Sequence, residues 1–410
     1  MIPRMTTVGT LKGYRFNLQR STYTLNKAIT TVTTGRNFNS FAEDPATASH
    51  SFHLRRSYLR ISSQHSLNES CVRKYEVAYS SVDSVEKVVD TSPNAEGSAY
   101  YAILRAMNAA TASARNALGQ EITAHANDMV QFMNGRYGDN FTFSGADGLN
   151  VPLTWEAKLN PKYDATASIV DPDNPTEEEI LLTSRYLTAD GKPTSNKQAA
   201  GRALYYRGID VSSTDPNDIA KLDSITQNEK KYVDIGLGYD MNGGEVESSS
   251  VYNIAMHAVD FLGGYGVETR TGTAGSNGGQ TFTFDDIPRN IVSITDEIGT
   301  ILQRCDPDNG NFSSPEDEAR FNALVSAFEE SSYRVKDKYT ELTTQAQFLK
   351  NNQGQLEANA YTVNEQLQAI DYADPAAAIS DFIFARYCYD TALKVGNSVL
   401  SQSLMDYLNL

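Results

Sequence analysis

The chain has 410 residues, 40% of them hydrophobic and 21% charged, with a formal net charge of −16. That length and apolar content can build two or three globular domains. The acidic balance excludes a general nucleic-acid binder, which needs a basic surface against phosphates, and no apolar run approaches the roughly 20 residues that would insert in a membrane.

The charge is unevenly spread. Residues 1–60 carry nine Lys/Arg against Glu43 and Asp44, net +7, while residues 371–410 carry five Asp against Arg386 and Lys394, net −3. The two ends can attract each other within one chain or between copies, or remain solvated faces. The opening MIPRMTTVGTLKGYRF has no apolar h-region, so no cleavable secretory signal is expected. Cys71, Cys305 and Cys388 are odd in number and far apart, so they read as small buried hydrophobes rather than a disulfide framework or a Cys-x-x-Cys site.

The first predicted helix carries Leu11, Leu18, Leu25 and Val32 at seven-residue intervals, with Tyr14, Ser21 and Ala28 three further on. Gly35 stands where a C-cap is expected. In the second, Ile61, Gln64, Asn68, Cys71, Tyr75, Ala78, Val82, Val85 and Val89 alternate three- and four-residue spacings until Pro93 and Gly97. The pattern predicts a third helix over Ser98–Asn134, with Tyr101, Leu104, Leu118, Ile122, Met129 and Phe132 on one stripe.

Residues 150–285 differ. Asp147-Gly148, Asp190-Gly191, Asn242-Gly243-Gly244 and Asn277-Gly278-Gly279 are turn signals. Short β-like runs such as FTF at 141–143 and 282–284 lie between them. With eleven Lys/Arg against nineteen Asp/Glu over 151–284, this reads as an acidic, mainly β insertion of one or two domains, with short helices near 216–223 and 250–262.

Ser314-Pro315-Glu316-Asp317 then reads as an N-cap, a proline at N1 and acids in the first turn. Phe321, Phe328, Val335, Leu342, Leu349, Leu356, Val363 and Ile370 place an apolar residue at every seventh position. The positions three further on are mostly polar (Lys338, Gln345, Asn352, Asn359), which makes a narrow, coiled-coil-like seam. Asp374-Pro375 interrupts it. The last helix, from Ala376 on, carries Ile379, Phe382, Ile383, Leu393, Leu400 and Leu404, and its apolar end, VGNSVLSQSLMDYLNL, adds Tyr407 and Leu408.

Long helices of seam type need partners. The expected fold is therefore mainly α with an inserted β-rich domain: N- and C-terminal helices in a coiled-coil or antiparallel bundle, the middle domain at its tip. The expected divisions are 1–45 with 375–410 as an inner domain, 46–149 with 286–374 as a helical rod, and 150–285 as an outer insertion.

Several stretches carry a resemblance. RMTT at 4–7, TTGRNFNSFAEDPATAS at 33–49, NGRYGDNFTFSG at 134–145 and AIDYADPAAAISDF at 369–382 are similar to motifs of the bacterial flagellin family. The ending QSLMDYLNL looks more like the family's hook–filament junction members than like filament flagellin. The matches cover roughly 1–150 and 285–410. They depart from the family pattern at Met1–Pro3, which precede the usual start, at Phe41-Ala-Glu-Asp44, and at 101–113, where only Arg105 remains of an arginine-rich stripe.

The resemblance implies a structural protein without cofactor or catalytic residues. Its terminal helices would be disordered in the free monomer and would fold into a coiled-coil core on assembly. The implied assembly interface is Leu11, Leu18, Leu25, Val32, Ile379, Phe382, Ile383, Leu393, Leu400, Leu404, Tyr407 and Leu408. The family motif loop maps onto Gly35, Arg36, Asn39, Ser40, Asp44 and Pro45. The implied partners are copies of itself in a ring, the hook-side junction protein, flagellin, and an export chaperone on the C-terminal helix. Export would be through the flagellar type III apparatus, with the extracellular flagellum as destination. An apolar seam exposed in a monomer is unstable, since burying each Leu, Val, Ile or Phe contributes about 1.5–3 kcal/mol against about 1–2 kcal/mol of backbone entropy per ordered residue. Folding coupled to assembly follows.

Residues for chemistry are sparse. Five histidines (His50, His53, His65, His125, His257) form no His-Glu-x-x-His motif, and His50-x-x-His53 supplies two metal ligands without a third. The acidic turns at 171–179 and 306–310 read as solvated Asx-turns. No Gly-x-Ser-x-Gly or P-loop is present. The open readings are a junction adaptor, a filament subunit, an enzyme displayed on the flagellum, and an unrelated coiled-coil adhesin.

Overall fold

A computed structural model describes the backbone of residues 7–408, apart from 93, 110, 170–174, 190, 239–240, 243–244, 248–249, 276–278 and 307–310. The N-terminal part runs α1 (Thr7–Thr34), α2 (Pro45–Val88), α3 (Ala99–Met107) and α4 (Ala112–Met133). The middle holds α5 (Glu177–Thr183), α6 (Pro216–Asp223), α7 (Ala258–Phe261) and short strands. The C-terminal part runs α8 (Ile291–Gln303), α9 (Pro315–Asp371) and α10 (Pro375–Leu408). The chain divides into two compact units, Met1–His65 with Gly354–Leu410, and Ser66–Gln353; α2 and α9 each contribute residues to both.

In the larger unit, the seam of α2 is buried from Asn68 through Cys71, Tyr75, Ala78, Val82 and Val85 to Val89 just beyond it. On α9 the seven-residue repeat is buried at Phe321, Phe328, Val335, Leu342 and Leu349. These two seams face each other. Asn68 Nδ2 donates to the Leu349 carbonyl at 2.9 Å, and the Tyr339 hydroxyl reaches Tyr79 Oη at 2.6 Å and Asp83 at 3.1 Å. Ser314 starts α9 as its residues foretell, its hydroxyl accepting from the Asp317 amide at 3.1 Å.

The third predicted helix is two. Ser98 and Thr111 each cap a separate start, accepting from the amides of Tyr101 and Ala114, and Asn108 ends α3 with its side chain bonded back to the Leu104 carbonyl. Asn and Thr offer the backbone side-chain partners that compete with a continuous helix. The buried face shifts accordingly: α3 buries Ala99, Ala102, Ile103 and Ala106, while Phe132 of the predicted stripe is exposed on α4. α4 crosses α8 at two glycines. A Cβ on Gly299 would sit 2.3 Å from Thr123 Oγ1 and 2.8 Å from the Gly119 carbonyl, so glycine is what allows the approach.

The middle is a set of small antiparallel sheets. β1 (Arg136–Tyr137) pairs with β2 (Asn140–Phe141), and β3 (Leu153–Ala157) with β6 (Arg202–Tyr206), which pairs with β7 (Ile209–Asp210). β4 (Tyr186–Leu187) and β5 (Pro193–Thr194), β8 (Tyr232–Val233) and β11 (Tyr252–Asn253), and β9 (Met241–Asn242) and β10 (Glu245–Val246) form two-stranded ribbons. β12 (Val267–Thr273) and β13 (Thr281–Pro288) form a longer hairpin lying on α9, where Asn322 Nδ2 donates to the Thr273 carbonyl at 2.8 Å. The helix expected near 216–223 is α6, capped by Asp215. Near 250–262 the chain instead makes β11 and then the single turn α7, because Tyr252 and Asn253 are drawn into pairing with β8.

Arg202 ties this middle to the helices. Its Nε donates to Asp296 on α8 at 2.9 Å, its Nη1 to Asn127 on α4 at 3.0 Å, and its guanidinium lies over the Trp155 ring at 4.3 Å. The motif turn 134–145 closes on the same core, with Phe143 fully buried and Gly145 against His257, where a Cβ would come within 2.4 Å of the ring.

Candidate assembly interface

In the smaller unit α1 packs along α10. The pair is zipped by small residues: Ala28 on α1, and Ala378, Ala385 and Gly396 on α10, are buried. At Gly396 an added Cβ would lie 1.9 Å from Tyr14 Oη, so the tyrosine ring rests on bare backbone. Small residues let two helices approach closely, and their side chains then leave larger neighbours outside.

Those neighbours are large and apolar. Phe384 is 70% exposed, Tyr387 69%, Phe16 65% and Tyr23 64%. Of the interface residues expected from sequence, Leu18, Leu25 and Phe382 are half-buried, whereas Leu11, Val32, Ile379, Ile383 and Leu393 are exposed. Leu400, Leu404, Tyr407 and Leu408 belong to α10, and their side chains lie outside the described residues. Sequence periodicity put Leu11, Leu18, Leu25 and Val32 on the α1 seam with Tyr14, Ser21 and Ala28 beside them, and of these Ala28 is buried. On α10 the signal that marks it is the smaller pair Ala378 and Ala385, seven apart, with Ala392 half-buried a further seven on.

At the α1–α2 connection, two of the resembling motifs, more than 300 residues apart in sequence, meet. Gly35 ends α1 at a φ of +68°, with its amide donating to the Thr31 carbonyl at 2.8 Å. Its own carbonyl accepts from the Ala373 amide at 3.0 Å, Arg36 bridges Tyr372, and the Asn37 amide donates to the Asp371 carbonyl at 3.0 Å. Asn37 Nδ2 adds bonds to the carbonyls of Ile370 at 2.8 Å and Tyr372 at 3.1 Å. The Asn39 amide donates to Glu43 Oε2 at 2.9 Å, and the Ser40 carbonyl accepts from the Glu43 amide at 3.2 Å. Asp44 caps α2 ahead of Pro45, taking the Thr47 hydroxyl at 2.6 Å and the Thr47 amide at 3.1 Å; these bonds hold its carboxyl below the ordinary range.

Asp371 closes the clasp. Its side chain is buried at the end of α9, accepting from Ser51 Oγ at 2.5 Å and pairing with Arg55. Burial pushes this carboxyl up, but the bonds from Ser51 and Arg55 outweigh it and hold it below the usual carboxylate range. Sequence reasoning missed Asn37, Ser51, Arg55 and Asp371 as a unit. The available signal was that Asn37 and Asp371 lie inside the two motif stretches.

His50 and His53 are exposed on α2. Among the described residues no three of His, Cys, Asp and Glu gather as metal ligands would, and no helix is long and apolar enough to cross a membrane. Cys71 and Cys305 are buried free thiols and Cys388 is half-buried.

No family model matches the chain, and no curated protein does. Several solved structures are similar to it. One is a protein assigned as flagellar hook-associated from Vibrio parahaemolyticus, at 14% identity, covering 80% of this chain and 100% of that one with a TM-score of 0.47. FlgL of Xanthomonas campestris is similar at 10% identity over 77% of this chain and 99% of its own, TM-score 0.44. Flagellar hook-associated protein 3 of Legionella pneumophila is similar at 12% identity over 77% and 98%, TM-score 0.41. The last two neighbours are of the flagellar hook-associated protein 3/FlgL type.

Proposed function

We propose that this chain is a structural subunit of the bacterial flagellum, an adaptor at the hook–filament junction that joins the hook-side junction protein to flagellin. The observation that carries this is the α1–α10 pair: it zips through Ala and Gly and leaves Phe16, Tyr23, Phe384 and Tyr387 in water. Aromatic surface of that kind on paired helices is covered by further copies in an assembly. The clasp between 35–47 and 370–373 supports the same reading, because it joins the two motif stretches that resemble the flagellin family.

In this reading 1–45 with 375–410 form the inner coiled-coil domain, 46–149 with 286–374 the helical rod, and 150–285 the outward insertion at its tip. Subunits stand in a ring. The chain leaves the cell through the flagellar export apparatus, a chaperone covering α10 on the way. It is not an enzyme. Removing Val395–Leu410 abolishes incorporation into flagella while the larger unit stays folded by circular dichroism; normal incorporation of the truncated chain overturns the proposal. In sheared flagella the adaptor is a trace band, whereas a flagellin-type filament subunit would dominate.

A further inference from the structure

In the larger unit a cavity of about 200 Å³ opens beside α2, the β1–β2 turn and β8. Its wall is largely apolar, with Cys71 from α2, Phe141, Val233 and Ile254. Two ammonium groups interrupt that wall, Lys74 and Lys231, and among the described residues no Asp or Glu lines it. Lys74 Nζ donates to the Ile254 carbonyl at 2.7 Å, which uses one of its three N–H donors. Burial first, and then the charge of Lys231, push the Lys74 ammonium down to about 8, and no acid of the described lining offsets the two cations.

We infer that this cavity binds a small organic carboxylate, its acid group between the Lys74 and Lys231 ammoniums and its apolar body against Cys71, Phe141 and Ile254. The anion supplies the missing counter-charge. Size sets the class: a cavity of about 150 Å³ holds one benzene ring, so this one takes a single ring or short acyl chain with its carboxylate. Inorganic phosphate would meet the charges but leave the apolar wall wet.

The test is calorimetric titration of the full chain with benzoate, benzamide and inorganic phosphate, repeated on K231M. Lys231 is exposed, so K231M leaves the core untouched. Benzoate binds, while benzamide and phosphate bind at least about tenfold more weakly, since each lacks one of the two complementary parts. K231M weakens benzoate by about tenfold and leaves benzamide unchanged. The site is overturned if benzoate gives no binding heat, if benzamide or phosphate binds as tightly, or if K231M leaves benzoate affinity unchanged.

Discussion

The exposed aromatics on the α1–α10 pair allow the assembly reading to be separated from monomer stability by a double variant, Phe16→Ser with Phe384→Ser. A phenylalanine carries about 150–250 Å². At 65% and 70% exposure these two keep roughly 130–140 Å² each in water. Covering that surface at ~25 cal/mol per Å² contributes about 3 kcal/mol per side chain, so the pair contributes about 6 kcal/mol to each subunit's burial in an assembly. Removing them weakens association by about 10⁴-fold. In the monomer the same surface faces solvent, so folding stability changes by only about ±0.5 kcal/mol. The assay pairs urea unfolding of the purified chain with sedimentation of assembled material and incorporation into flagella. The reasoning is refuted if the variant assembles normally, or if its urea midpoint falls as far as its assembly does.

Asp371→Asn removes the charge that Ser51 and Arg55 hold. We expect a loss of about 1–2 kcal/mol, discounted because Arg55 is half-exposed, read as a lower urea midpoint. Because the Asp371 carboxyl is held below its ordinary value of 3.8, its contribution is complete above that pH and disappears as pH falls through the folded value. The variant should therefore lose part of the wild-type acid sensitivity below pH 4, and identical acid curves would contradict the clasp. Gly396→Ala drives a Cβ into Tyr14, so α1–α10 pairing weakens, and Tyr14→Ala in the same chain recovers part of it; hydrogen exchange across the two helices reads both. Arg202→Met leaves Asp296 buried without its cation. Burial already pushes that carboxyl up despite Arg202, and we expect a loss of about 3 kcal/mol in urea denaturation.

Much of the helical frame was legible because it repeats. The seven-residue spacing from Phe321 to Leu356 is a statement about one face of one helix, and a local pattern needs no knowledge of the partner. The buried run from Asn68 to Val89 was legible for the same reason. Caps were legible where the cap residue is the nearest partner of its own helix, as at Ser314 and Gly35. The split at 108–111 was not, because alanines on both sides continue an apolar pattern while the side chains of Asn108 and Thr111 decide the backbone.

For this protein, then, sequence by itself determined the helix seams, the turn-rich insertion and the motif stretches at 33–49 and 369–382. Only the tertiary structure decided which side chains the terminal helices bury. Helix periodicity reports that a face is apolar, whereas close approach of two helices selects the smallest residues on it. That is why Ala28, Ala378, Ala385 and Gly396 are inside, and Phe16 and Phe384, the residues a hydrophobicity count would bury first, remain outside. The clasp at Asp371 is tertiary for a second reason. Its partners come from opposite ends of the chain, and a carboxylate whose charged form Ser51 and Arg55 stabilise looks, in sequence, like any other surface acid.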